Sequence, residues 1–219
     1  MKKQLTWLNE WRLFLQQNAL AQLTKLTSLT KLTHLIPPTP LNLEKRYRVN
    51  IGRPTRINLL LVGCGGTGSF AAHTLAQFAA WGNGAGLDVR LVFVDPDVVE
   101  PKNLVRQNFC QAEVGYPKAF TLAWRYTAAF GLKITPVVAR FSASILEQHS
   151  PLYAPDHSLT VVIGAVDNAA ARRDIAAAVT RQLEHRTACW WIDSGNERDS
   201  GQVLAGSSLE PEPLLSPLG

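Results

Sequence analysis

The run Leu59-Leu-Leu-Val-Gly-Cys-Gly-Gly-Thr-Gly68 decides how the rest of the chain is read. Four apolar residues suffice for a buried strand, and the glycines behind them mark a tight turn. The next stretch, Ser69 to Trp81, is alanine-rich and helical in pattern, so the unit is strand, turn, helix. Gly63, Gly65 and Gly68 stand at the G-x-G-x-x-G spacing that lets a backbone approach phosphates, and Gly66 adds a further glycine to the turn. A side chain at Gly63 or Gly65 is expected to block that approach, whereas Gly68 lets the helix pack on its strand. The helix N-terminus supplies free N–H groups and a partial positive charge. The motif points to a nucleotide without choosing the nucleotide or the reaction.

Outward from this turn, strand and helix patterns alternate. Val89–Val94 reads as a second buried strand ending in Asp95, and Gly82, Gly84 and Gly86 as the break before it. Residues 95–118 are polar and irregular. Ala119–Phe130 is a predicted helix closed by Gly131, Lys133–Val138 a short strand and His149–His157 a loop. Thr160–Gly164 is a strand, Ala169–His185 a helix, Ala188–Ile192 a strand running into Asp193, and Gly201–Gly206 one further strand. This order predicts right-handed βαβ units: a Rossmann-like, doubly wound α/β domain with a mainly parallel sheet over residues 51–206.

Residues 1–50 read as an N-terminal helical extension and linker. Leu5, Leu8, Trp11, Leu15 and Ala19 fall at helical spacing. From Leu23 to Leu35 leucine recurs every third residue, mostly followed by threonine, a period that winds around a helix and marks low-complexity sequence. Pro37-Pro-Thr-Pro40 ends it, and residues 207–219 form a proline-rich tail.

The 219 residues carry 22 basic and 17 acidic side chains, a net charge of +5, with 46% hydrophobic and 18% charged residues. That composition is globular. No Lys/Arg block with interleaved aromatics accompanies the excess charge, which argues against nucleic acid and leaves room for ATP phosphates or an acidic protein. Cys64, Cys110 and Cys189 form no C-x-x-C and no pairable set, which suggests a reducing compartment. No run of 18 apolar residues exists, and Glu10 and Arg12 interrupt any signal-peptide core after Met1-Lys-Lys, so a cytoplasmic protein without a membrane span is expected. The five histidines lack ligand spacing.

Ligands of an open parallel sheet bind beyond the carboxyl ends of its strands, and polar residues collect at those ends here: the glycine turn, Asp95, Asp167 and Asp193. Asp95 stands where an acid usually holds ribose hydroxyls. After it come Asp95-Pro-Asp97-Val-Val-Glu-Pro-Lys-Asn103-Leu-Val-Arg106-Gln107, then Gly115-Tyr-Pro-Lys118, then Val162-Ile-Gly-Ala-Val-Asp167-Asn168 with Arg172. With the glycine turn these resemble, in order, the four motifs of the ThiF/MoeB adenylyltransferases, the superfamily of the ubiquitin-activating enzymes, across residues 57–205. Trp191-Ile-Asp-Ser-Gly-Asn196 followed by Gly201-Gln-Val203 is most similar to the ThiF-type members of the bacterial PRTRC systems.

The resemblance implies activation of a carrier protein's C-terminal carboxylate with ATP, giving an acyl adenylate and pyrophosphate. It places Arg106 and Lys118 on the β- and γ-phosphates, Asn103 and Gln107 nearby, Mg²⁺ on Asp167, ribose on Asp95 and Asp97 in the same pocket. Arg172 is expected to orient Asp167, and Asn168 to belong to the cofactor-binding set, with a helix N-cap as its other reading. The partner implied is a small ubiquitin-like or sulfur-carrier protein. A homodimer is also implied, with Arg46, Arg48 or Arg53 as candidates to reach the other subunit's phosphates. The two C-x-x-C pairs of zinc-bearing relatives are missing, so no zinc is expected. Two other readings stay open: an NAD-dependent oxidoreductase, which the glycines and Asp95 alone satisfy, and a catalytically inactive binding module of the same fold.

Overall fold

The computed structural model describes residues 53–150, 157–184, 189–196 and 201–207. The expected N-terminal helix, Leu-Thr repeat, proline linker and proline-rich tail lie outside these residues, as do Arg46 and Arg48. Among the described residues a six-stranded sheet has the order β3-β2-β1-β4-β5-β6. The strands are β1 (Arg56–Val62), β2 (Asp88–Val94), β3 (Ile134–Val137), β4 (Ser158–Gly164), β5 (Cys189–Asn196) and β6 (Gly201–Ser207). β1 to β5 pair in parallel, and β6 returns antiparallel along β5. The helices between them are α1 (Gly66–Gly84), α2 (Lys118–Phe130), α3 (Ala143–His149) and α4 (Ala169–Glu184). This is the doubly wound, mainly parallel α/β fold that the alternation predicts.

β1 is continuous in apolar residues because both of its faces are buried. Ile57, Leu59 and Leu61 join Leu91 and Phe93 in a core beneath α1 and α2, with Ala72, Ala76, Ala119 and Leu122. Leu60 and Val62 point the other way and join Val92, Val162, Leu146, Ile175, Val179 and Trp191 beneath α3 and α4. Small alanines on the α1 side let that helix sit close to the sheet.

Two boundaries depart from the sequence reading. Gly82 does not break α1: it is buried inside the helix, and a Cβ there would lie 2.7 Å from Val89 Cγ2, so the glycine serves close packing on β2. The turn falls instead at Ala85 and Gly86, whose φ is +88°. The helix α3 is absent from the sequence reading, which has only a loop from His149. Its seven residues are too few for a clear helical period. The irregular stretch after β2 holds two 3₁₀ turns, Pro101–Asn103 and Gln111–Glu113. No helix among the described residues is long and apolar enough to cross a membrane.

The carboxyl ends of β1 to β4 fall level, and β5 runs three residues further. Val137, Val94, Val62, Gly164 and Asp193 stand in register across β3, β2, β1, β4 and β5. From β1 the chain proceeds to β2 and β3 on one side, then crosses from β3 to β4 on the other side of β1, so the glycine turn sits at the switch point of the sheet, where such folds open a crevice.

Candidate active site

The six-residue turn divides into glycines required by the protein and glycines facing open space. Gly63 adopts φ +91°, and a Cβ there would lie 2.5 Å from the Ala165 carbonyl oxygen. At Gly68 a Cβ would lie 1.9 Å from the Gly63 carbonyl oxygen. These two are needed for the fold itself, a requirement at Gly63 that the sequence reading does not include. At Gly65 the nearest atom is Gln107 Nε2 at 3.9 Å, and at Gly66 nothing lies within 4 Å. The N-terminus of α1 has no side-chain cap and no acidic residue in its first turn, so its amides face the same open space.

Asp95 lies buried behind the turn. Its Oδ2 accepts the Cys64 N–H at 2.6 Å and its Oδ1 the Asp97 N–H at 2.8 Å. Burial pushes its carboxyl up, against the pull of these two amides and of Lys118. Asp95 therefore shapes the turn, and each oxygen keeps a second lone pair for a hydroxyl donor. Cys64 is buried, and burial with the neighbouring Asp95 charge raises its thiol well above the usual range, so it packs.

Lys118 is the unusual residue. It is 7% exposed, opens α2, and its ammonium donates to Asp97 Oδ2 at 3.1 Å. A cation at the start of a helix meets the positive end of the dipole, and burying an ammonium is costly besides. The Asp97 carboxylate is largely exposed and offsets this only in part. The segments carrying the two residues lie side by side, with Lys118 N–H donating to Asp97 O at 2.9 Å and Val98 bridged to Pro117.

Of the Asn103–Gln107 motif, the structure separates three roles. Asn103 is buried and its Oδ1 accepts the Glu100 N–H at 2.8 Å, closing a capping box, so its carboxamide oxygen is committed to the loop. Gln107 is buried beside Gly65, and its Oε1 has no hydrogen-bond partner among the described residues. Arg106 is exposed and makes no ion pair among the described residues. The loop is fastened by residues the sequence reading leaves out. The Asn108 N–H donates to Ser69 Oγ at 2.9 Å, and Arg125 donates to Asn108 O at 2.9 Å while pairing with Glu113. Spacing along the chain carries no sign of these contacts, which cross between elements.

Asp167 is exposed at the end of β4 and accepts from Asn168 Nδ2 at 3.2 Å. Asn168 caps α4 through the Ala171 N–H at 2.8 Å, as its residue type predicts. Arg172 does not pair with Asp167. Its Nε donates to Asp193 Oδ2 at 2.9 Å and its Nη2 to the Val166 carbonyl at 2.9 Å. The expected partner Asp167 is exposed, whereas the Asp193 carboxylate that Arg172 does meet is buried. Among the described residues no group of three or more His, Cys, Asp or Glu gathers into a metal cage.

No curated protein matches the chain. Among solved structures it is similar to PaaA, crystallised as the selenomethionine protein, at 19% identity and TM-score 0.46, covering 65% of this chain and 39% of that one. It is also similar to the E. coli tRNA N6-threonylcarbamoyladenosine dehydratase TcdA, solved in complex with ATP, at 24% identity and TM-score 0.44, covering 60% and 49%. The chain thus matches less than half the length of either structure. The model of the ThiF family matches residues 53–208, from the start of the first strand through the last, and the chain belongs to that family.

Proposed function

We propose that this domain binds ATP at the glycine turn and activates the C-terminal carboxylate of a small ubiquitin-like or sulfur-carrier protein. The carboxylate oxygen attacks the α-phosphorus, the bond to the β-phosphate oxygen breaks, and an acyl adenylate and pyrophosphate result. The observation that carries this reading is Lys118, a buried ammonium at a helix start, whose placement is explained by a polyanionic ligand. Gly65 and Gly66 leave the turn open to phosphates, and Gln107 Oε1 offers a buried acceptor beside it. Arg106 supplies a further cation, and Asp95 and Asp97 take the ribose side of the pocket. An oxidoreductase reading accounts for the glycines and Asp95 but gives Lys118 no task.

An exposed carboxylate just beyond β4 suits Mg²⁺, which takes one or two carboxylates and completes its shell with phosphate oxygens and water. Asp167 would hold it. When bound, the cation neutralises charge on the departing pyrophosphate. The residues of the chain orient the phosphates, with Lys118 and Arg106 offsetting the charge that gathers on the leaving group. We also propose a homodimer, with residues 1–50 as the extension that takes part in it.

ATP–pyrophosphate exchange in the presence of a carrier ending in Gly-Gly tests the reading. Arg106→Ala, Lys118→Met and Asp167→Ala should each lower exchange by about 10²–10³-fold while the protein still melts cooperatively. Unchanged exchange in these variants overturns the residue roles. Tight NADH binding without ATP binding selects the oxidoreductase, and carrier and ATP binding without exchange selects the inactive module.

A further inference from the structure

Arg172 leaves the first turns of α4 and is gripped on two sides, by Asp193 Oδ2 and by the Val166 carbonyl, each at 2.9 Å. The Asp193 side chain is 3% exposed and that of Arg172 23%. A buried ion pair of this kind is a poor way to stabilise a strand, because desolvation consumes most of the attraction. Asp193 Oδ1 has no hydrogen-bond partner among the described residues, which makes the pair poorer still as a stabiliser. What the pair does supply is a fixed link from β5 to the turn Val166-Asp167-Asn168.

That turn is held from its other sides as well. Ala165 N–H donates to Val62 O at 2.8 Å, the Ala165 carbonyl presses on Gly63, and Asn168 is committed to capping α4. Among the described residues the Asp167 side chain accepts a hydrogen bond from the Asn168 amide alone. Its carboxylate is therefore aimed by the backbone around it, and the peptide preceding it is the one Arg172 fixes. We propose that Asp193 and Arg172 form a positioning pair that presents Asp167 to the divalent cation of the ATP complex. The inference rests on the reading of Asp167 as the cation ligand.

Asp193→Asn and Arg172→Lys are the informative variants of the full chain. Asparagine keeps the size of Asp193 and one acceptor. Lysine keeps the charge of Arg172 but cannot span two partners as a guanidinium fork does. ATP affinity is measured calorimetrically with Mg²⁺ and again in excess chelator, beside thermal melting. The Mg²⁺-dependent gain in affinity should shrink by roughly 10–100-fold, the usual effect of losing a partner that orients a metal ligand, with affinity in chelator unchanged. A loss of melting temperature with the Mg²⁺ gain intact makes the pair a stabilising contact and overturns the proposal. Asp167→Asn separates the two levels. If it leaves the Mg²⁺ gain intact, the reading of Asp167 fails and this proposal with it. If it abolishes the gain while the Asp193 and Arg172 variants retain it, this proposal alone fails.

Discussion

At Gly68 an added methyl carbon would lie 1.9 Å from the Gly63 carbonyl oxygen, while at Gly66 it would meet nothing within 4 Å. The two positions differ by one turn-forming residue in sequence and belong to different physics. Gly68→Ala must move backbone, so a loss of about 3 kcal/mol or more in denaturant unfolding is expected. Gly66→Ala opens a helix with a better helix former and should leave stability unchanged or raised by up to about 1 kcal/mol. It should nevertheless weaken ATP about tenfold, near 1.4 kcal/mol, when binding is titrated directly. Equal ATP affinity in Gly66→Ala and the native protein would mean that the open space is not the phosphate seat. The glycine spacing was legible in the sequence, but which glycine answers to the fold was not, because Ala165 approaches Gly63 from a strand about a hundred residues away. Motif order singles out Asp95, Lys118 and Asp167, the residues the proposed function uses. Their neighbours Asp193 and Gln107 show why order is not enough: burial and an unmet hydrogen bond appear only when the strands are side by side.

The loop after β2 shows the same division among elements. Its chain-local features, Glu100 capped by Asn103 and Pro117 before α2, are of a kind that sequence can announce. Its anchorage is not local. Arg125, in the second turn of α2, pairs with Glu113, reaches Asn108 O, and lies 5.9 Å and 5.7 Å from the ring centres of Phe109 and Tyr126. This holds the segment bearing Arg106 and Gln107 against α1. Burial would raise the Glu113 carboxyl, but the Arg125 bonds and the Cys110 N–H outweigh it and hold it below the usual glutamate range. An acid lowered in the folded state adds stability above its ordinary range, and that part is lost as pH falls through the depressed value. Glu113→Gln should therefore cost about 1–3 kcal/mol at neutral pH. Urea unfolding should show the gap between native and variant closing in acid, below the ordinary glutamate range. A gap that persists there would assign the effect to packing.

For the whole molecule, the register that aligns Val137, Val94, Val62, Gly164 and Asp193 places residues far apart in sequence along one rim. The parallel α/β order, read from alternating apolar runs, was the most legible property of all, because the central β1 and most of β2 are buried on both faces and read as solid apolar blocks. The antiparallel return of β6 along β5 was not, since alternation alone does not set strand direction. The proposed homodimer is tested at this scale. Light scattering at micromolar concentration should report twice the mass of one chain, and a single-chain mass would also remove the idea of phosphate contacts donated by the other subunit's arginines.

The Cys64 amide is a loop proton held at 2.6 Å by a buried carboxylate. Charge-assisted bonds this short draw electron density from the proton, so in a nitrogen-correlated spectrum this resonance belongs far downfield of the ordinary amide envelope. Its carboxylate partner also faces the Lys118 charge, which any bound polyanion would redistribute. The glycine turn thereby contains a built-in reporter that registers occupancy of the crevice whether or not any product is formed.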